Sequence, residues 1–274
     1  MNKLITLEQA KESKIGLQMI NNGISLLSPK HCFLACYLLQ IKSDENENSK
    51  WKIYYDSLPK NFKNFPIFFS KNEINYLEGS PFKMQIEEKL KDLKKDFNLI
   101  SNISEDFQSK YSFTNFCEMR MMVSSRIFGI KIRGKKTDCL CPIADMLNHR
   151  RPRHTIWYFS DDLNSFVIQA LEPIEANSEI FDSYGKKCNS RFFLNYGFVV
   201  EENESNEFPI EIELNDSLTN LEFKLQIIGL NNLKQVFRVQ GVMESKADYY
   251  LLCSLRFILF SGSKDELLDV SDFK

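Results

Sequence analysis

From Leu4 to about Asp106, apolar positions recur at helical spacing, so this part of the chain predicts helices. Ser28-Pro29 marks a helix start, because a proline suits the first turn. The run His31 to Ile41 is apolar nearly all round, which predicts a buried helix. Ser43 to Lys50 (SDENENSK) predicts a polar loop. Trp51, Ile53, Tyr54 and Leu58 then form an apolar face that ends at Pro59. Aromatic clusters come next, around Phe65-Pro66 and from Ile67 to Phe69. Ser70 to Gly79 predicts a short helix and Pro81 to Ile100 a long charged one, with Glu87, Glu88, Lys91, Lys94 and Lys95 on a solvated face. A further helix, from about Ser112 to Phe128, carries Phe113, Phe116, Met119, Met122 and Val123 on its apolar side.

After residue 138 the pattern changes to short strands. Thr155 to Ser160, Ser165 to Leu171 and Glu179 to Asp182 are rich in β-branched and aromatic residues, with a turn at Asp161-Asp162. Cys188 or Asn189 begins a helix through Asn195, and Tyr196-Gly197-Phe198-Val199 returns to extended chain. The acidic run Glu201 to Glu207 is a candidate boundary. Beyond it, Leu221, Phe223, Leu225 and Ile228, then Tyr249 to Phe260, predict a helical C-terminal segment. A helical first half and a short-stranded second half make an α+β chain.

Composition narrows the class without naming a function. Apolar content of 43% and charged content of 26% over 274 residues describe an ordinary globular protein. A formal net charge of −2 offers no electrostatic draw toward nucleic acid or an anionic membrane. Met1 to Ser13 has no continuous apolar core of a signal peptide, and Tyr249 to Phe260 is too short to cross a bilayer. Seven cysteines, odd in number and irregular in spacing, read as free thiols in a reducing compartment. The protein is therefore expected to be soluble and intracellular; it is further expected in the cytoplasm or nucleus, as a monomer. Cys32 and Cys36 read as core residues. Cys139-x-Cys141 has no partners at zinc-site spacing and suits a strand, so no metal is expected.

Candidate chemistry concentrates in two stretches. Leu140 to His149 (LCPIADMLNH) leads an apolar run into Asn148 and His149, whose amide and ring nitrogens can hold a flat polar group such as an adenine ring. Glu179 to Phe198 (EIFDSYGKKCNSRFFLNYGF) carries two Tyr-Gly pairs. Upstream, the helix ends in Ser124-Ser125-Arg126-Ile127-Phe128, where Arg126 is both a last-turn cation and a guanidinium able to grip a carboxylate.

Together these stretches resemble the SET-domain protein methyltransferases, in the branch containing the Rubisco large-subunit and ribosomal-protein lysine methyltransferases. Trp51 to Pro59, the long helical stretch, the Ser-Ser-Arg-Ile-Phe helix end, Pro142 to His149 and Tyr184 to Phe198 occur in that family's order. The resemblance implies a SET-like β fold of short sheets with a large helical insertion, and after it part of a C-terminal helical substrate-binding domain. Residues 1–200 would form the SET part, with the insertion at about 28–112, and residues 201–274 would begin the second domain. It implies S-adenosylmethionine as cofactor and a protein substrate whose acceptor lysine meets the cofactor through a narrow channel. Carried over residue by residue, Tyr184 and Tyr196 are the catalytic channel tyrosines. Arg126, Phe128, Asn148, His149 and Tyr184 hold the cofactor, and Ala144, Asp145, Asp182 and Tyr196 meet the substrate. Asp145 either holds the strand end or faces the channel.

Two departures from the family pattern stand out. A glycine-rich turn, Gly-x-Gly before an apolar residue, is the family's first cofactor element. Here the N-terminal glycines are Gly16 and Gly23, neither in that pattern, and Met1 to Ile20 resembles the segment immediately after such a turn. The chain is thus expected to begin late, or to have lost part of the cofactor site, and to end before its substrate-docking domain is complete. Three functions are consistent with this pattern: lysine methylation, methylation of a histidine as in the actin-modifying sister branch, or a catalytically inactive protein-binding module. The histidine branch has a Trp before its Asp-Met pair where this chain has Ala144, and a small residue leaves room for a lysine.

Overall fold

The computed structural model describes residues 4–43, 51–215, 217–227, 229, 233–240 and 246–263. Contacts divide the chain into two compact units, residues 1–186 with 190–199 and residues 187–189 with 200–274.

The first unit opens with a two-residue strand, β1 (Ile5–Thr6), and then runs helical as its apolar spacing requires: α1 (Leu7–Glu12), α2 (Lys14–Asn21), α3 (Pro29–Ser43), α4 (Lys52–Ser57), α5 (Lys71–Asn75), α6 (Pro81–Ile103), α7 (Glu105–Lys110) and α8 (Phe113–Arg126). Helix α3 begins at Pro29 and buries Cys32 to Cys36, Leu38, Leu39 and Ile41, as an all-round apolar helix must. It packs on α8, whose Phe116, Met119, Met121, Met122 and Val123 complete the same core. Ile53 departs from its expected place. Along α4 and its two cap residues, Trp51, Tyr54 and Leu58 turn inward and Ile53 lies 82% exposed, because a helix cannot bring four positions so spaced to one side.

The helical core also encloses an ion pair that its charge pattern does not disclose. Asp96, on the inner side of α6, accepts from Arg120 Nη1 of α8 at 3.0 Å and from the Leu27 N–H at 2.7 Å. The same guanidinium nitrogen donates to Cys32 Sγ at 2.8 Å. Both charges are almost completely buried, so the pair fixes α3, α6 and α8 in one register.

The strands start earlier than expected. The chain leaves α8 at Arg126 and enters β2 (Ile127–Ile132), which turns through Arg133 and Gly134 into β3 (Lys135–Leu140). Both turn residues have positive φ, 46° and 78°, the conformation of a tight two-residue hairpin. With β1 these make a three-stranded antiparallel sheet in the order β1-β3-β2. Strand β4 (Asn148–His149) pairs in parallel with β7 (Phe181–Asp182), and β5 (Thr155–Ser160) forms a hairpin with β6 (Ser165–Ala170). Helix α9 (Asn189–Tyr196) comes after β7, one residue longer than expected, and Phe198-Val199 is irregular chain, not strand.

The second unit is less helical than its apolar periodicity predicts. It pairs β8 (Phe208–Glu213) with β9 (Lys234–Val239) antiparallel, and carries α10 (Leu221–Ile227) and α11 (Lys246–Leu259). Period-two alternation in FPIEIE accounts for the first strand. Ile228 lies outside the described residues. All seven cysteines are free, six of them buried. Among the described residues, no helix is long and apolar enough to cross a membrane.

Candidate active site

Three segments of the first unit converge where β3 ends. The first is the last turn of α8. Arg126 Nη1 donates to the backbone oxygen of Asp145 at 2.7 Å and lies 3.4 Å from its Oδ2. The second is the short turn Ala144–Met146, entered through Ile143 at φ 75°, a costly conformation for a β-branched residue. The Asp145 carboxylate is wholly buried behind this turn. It takes a hydrogen bond of 2.5 Å from the Tyr54 hydroxyl on α4, and its Oδ1 is buried without a partner. Burial raises the Asp145 pKa, against the opposing pull of Tyr54 and Arg126.

The third segment runs from β7 to the end of α9. Parallel pairing sets Asn148 against Phe181 and His149 against Asp182. His149 Nδ1 accepts the backbone N–H of Tyr184 at 3.1 Å, and the two rings stack at 5.2 Å. Tyr184 stacks in turn on Tyr196 at 5.1 Å, and its hydroxyl donates to the Leu147 carbonyl at 2.7 Å. Burial pushes the Tyr184 phenol up to about 12 and raises Tyr196 as well. Gly197 comes directly after Tyr196 at φ 76°, where a Cβ would meet Asn64 Nδ2 at 2.5 Å, so this helix end requires glycine.

Two cavities flank these residues. The larger, about 240 Å³, is lined by Phe128, Ala144, Trp157 and Asp182. The smaller, about 190 Å³, is lined by Asn61, Asn64, Phe65, Asn148 and Phe198. Ser125, Arg126, Asp145, Tyr184 and Tyr196 line both, and so form a common wall.

The residues expected to meet substrate, Ala144, Asp145, Asp182 and Tyr196, all line the larger cavity. Arg126, Asn148 and Tyr184, expected to hold the cofactor, line the smaller. Two residues lie elsewhere. Phe128 sits on β2, packed edge-on against Trp157 at 5.1 Å, and lines the larger cavity and not the smaller. His149 lines neither cavity and stands behind Tyr184. Asp145 presents its backbone to the open space while its carboxylate is turned away, since the side chain has no exposed surface. Sequence reasoning missed Tyr54, Asn61, Asn64 and Trp157. The two asparagines near Pro59, in a stretch otherwise aromatic, were the available signal.

Residues 3–185 match the family described as the SET domain. The chain belongs to the SET-domain family. Among relatives of this SET protein, the ribosomal lysine N-methyltransferase set10 of Schizosaccharomyces pombe is 27% identical over 229 residues, covering 82% of this chain and 41% of that protein. The actin-histidine N-methyltransferase of Xenopus tropicalis is 26% identical over 277 residues, covering 96% of this chain and 46% of the other. The chain thus spans about half the length of the curated relatives it matches. The SET domain of LSMT, solved bound to lysine and AdoHcy, matches with a TM-score of 0.73 at 20% identity, over 98% of this chain and 62% of that one, which establishes the fold.

Proposed function

We propose that this SET protein methylates the side-chain amine of lysine in a protein substrate, with S-adenosylmethionine as cofactor. The observation that carries the proposal is the pair of cavities backed onto one wall of Ser125, Arg126, Asp145, Tyr184 and Tyr196. Two ligands that must meet at one atom, entering from opposite sides, require such a wall. The lysine and AdoHcy in the LSMT structure, and the ribosomal lysine specificity of the set10 relative, support the same reading.

The residues of the smaller cavity fit the cofactor chemically. Asn61, Asn64 and Asn148 supply amide donors and acceptors, Arg126 a guanidinium for a carboxylate, and Phe65 and Phe198 apolar faces. Its volume of about 190 Å³ lies below the ~300–1,000 Å³ usual for such sites, so these walls take part of the ligand. When bound, the cofactor supplies an already activated methyl group. The protein aligns the amine and favours its neutral form, because lysine has a reference pKa of about 10.4. Tyr184 is held as a neutral phenol and orients the amine, with Tyr196 stacked beside it. The same proposal has the protein act as a monomer in the cytoplasm or nucleus, on protein and not on nucleic acid or membrane.

The actin-histidine relative gives the second reading its support. Against it stands Ala144, buried on the larger cavity, where a small side chain leaves space for a long aliphatic one. The test is to supply the full-length protein with radiolabelled cofactor and an extract of its own cells, then hydrolyse the product and separate the amino acids. Labelled methyllysine is expected. Methylhistidine without methyllysine would move the protein to the histidine reading. Cofactor binding with no label would favour an inactive binding module.

A further inference from the structure

We propose that Tyr54 is a positioning residue for the cofactor wall: from the helical insertion it fixes the Asp145 carboxylate, which in turn holds the Arg126 guanidinium at the junction of the two cavities. The inference rests on the methyltransferase reading and extends it to a residue outside both cavities.

The three groups form a line from the interior outward. Tyr54 is buried at 6% exposure on α4, and its hydroxyl donates to Asp145 Oδ2 at 2.5 Å. Asp145 has no exposed side-chain surface, whereas Arg126 keeps 17% and lines both cavities. The carboxylate is therefore behind the wall and the guanidinium in front of it. Arg126 is held by one residue at two points, the Asp145 carbonyl at 2.7 Å and the carboxylate at 3.4 Å. The carbonyl is fixed by the backbone, but the carboxylate can rotate. Its Oδ1 has no partner, and its contact to Arg126 is long, so the short bond from Tyr54 sets its orientation.

A purely structural contact gains little from this arrangement. A buried anion with one unpaired oxygen costs free energy that well-packed apolar side chains avoid. Its effect at the site is to keep a negative charge beside Arg126, in low dielectric where that charge acts strongly. Removing the Tyr54 hydroxyl releases the carboxylate, and the guanidinium loses one of its two anchors. The face it offers the cofactor then varies among rotamers, and part of the binding energy goes into reordering it. Because α4 belongs to the helical region, the same link couples that region to cofactor affinity.

The experiment compares full-length wild type with Tyr54→Phe, Arg126→Lys and the double variant, by calorimetric titration with S-adenosylmethionine and by steady-state kinetics. For Tyr54→Phe we expect an affinity lower by about tenfold, or about 1.4 kcal/mol. The KM for cofactor should rise in step, while kcat at saturating cofactor stays within about twofold. A merely structural residue would lower the melting temperature without this split. The double variant should bind no more weakly than Arg126→Lys alone, since the two residues act through one contact. Wild-type affinity in Tyr54→Phe, or losses that add in the double variant, overturns the inference and leaves the methyltransferase reading standing. If wild type itself fails to bind S-adenosylmethionine, both fall. Should Tyr54→Phe fold poorly, Asp145→Asn keeps the shape and removes the charge. It must show the same loss of cofactor affinity, and its failure to do so is equally decisive.

Discussion

Replacing Tyr184 by Phe separates the chemistry of this wall from its architecture. The ring is stacked between His149 and Tyr196 at 5.2 and 5.1 Å, and those contacts survive the substitution. The loss is one hydroxyl, which donates to the Leu147 carbonyl at 2.7 Å. A neutral hydrogen bond of this kind contributes a net ~1 kcal/mol, and the carbonyl it leaves is only partly buried. Stability should fall by about 1 kcal/mol, a melting shift of a few degrees at this size. The rate should fall far more. Losing one hydrogen bond that acts in the transition state costs roughly 2.7–4 kcal/mol, or about a hundred- to thousandfold in kcat. Because burial pushes the phenol up to about 12, the wild-type hydroxyl is neutral at neutral pH, and the change removes a hydrogen bond without removing a charge. The ratio of wild-type to variant rates should therefore be flat from pH 7 to about pH 9. Single-turnover methylation at saturating cofactor measures the rate, and calorimetry and thermal melting measure affinity and stability on the same samples. A variant that keeps the full rate, or one whose rate loss is matched by an equal loss of cofactor affinity, refutes the placing of this hydroxyl beside the reacting amine.

Two further outcomes are expected. Ala144→Trp fills much of the cavity of about 240 Å³ and should suppress lysine methylation while cofactor titration stays within about threefold; unchanged lysine turnover would show that the acceptor enters elsewhere. His31 is held down at about 4 by burial first and then by Arg120, Lys30 and Lys89, against about 6.5 when unfolded, so the unfolded chain takes up its proton first as the pH falls; stability present above pH 6.5 should be lost by about 3 kcal/mol toward pH 4, and urea melts of His31→Gln that fell just as steeply would contradict this.

How much of this was legible in the chain depends on how locally each feature is encoded. Helix α3 was readable because its middle is apolar nearly all round, so its position follows from apolar content. The β2–β3 hairpin was not. Ile127 and Phe128 continue the apolar spacing of α8, and the break is made by Arg133-Gly134, two residues whose positive φ leaves no apolar mark. Phe128 was placed with the cofactor by family resemblance, through the Ser-Ser-Arg-Ile-Phe helix end. Once the chain is extended from Ile127, its side chain packs on Trp157 and Phe166. Arg126, Asn148, Tyr184 and Tyr196 could be named because they stand in recognisable stretches. Tyr54 lies about 90 residues before the turn it bonds, and nothing in its neighbours announces it; Asn61 and Asn64 left only the weak signal of two amides in an aromatic stretch. The buried Asp96–Arg120 pair escaped for a related reason: on a helix dense with charge, one carboxylate pointing inward looks like the rest until packing is known.

The common wall is held by ring stacking around Tyr184 and Tyr196 and by bonds that each have a main-chain atom at one end. Arg126 is tied to the Asp145 carbonyl, the Tyr184 hydroxyl to the Leu147 carbonyl, and the Tyr184 N–H to His149. Each bond has a side-chain atom at one end and a main-chain atom, which cannot change rotamer, at the other. Transfer between two ligands that meet in line is sensitive to displacement, and an error near 1 Å can cost about a hundredfold in rate. A wall hung on flexible side chains would not hold that tolerance. His149 is therefore placed to matter without lining either cavity: its ring backs Tyr184, and its Nδ1 fixes the amide of the same residue. Beside these, the contact from Arg126 to the Asp145 carboxylate is long, at 3.4 Å, and joins two side chains. There the fold adds a brace from a distant helix, and the hydroxyl of Tyr54 is the group that reaches it.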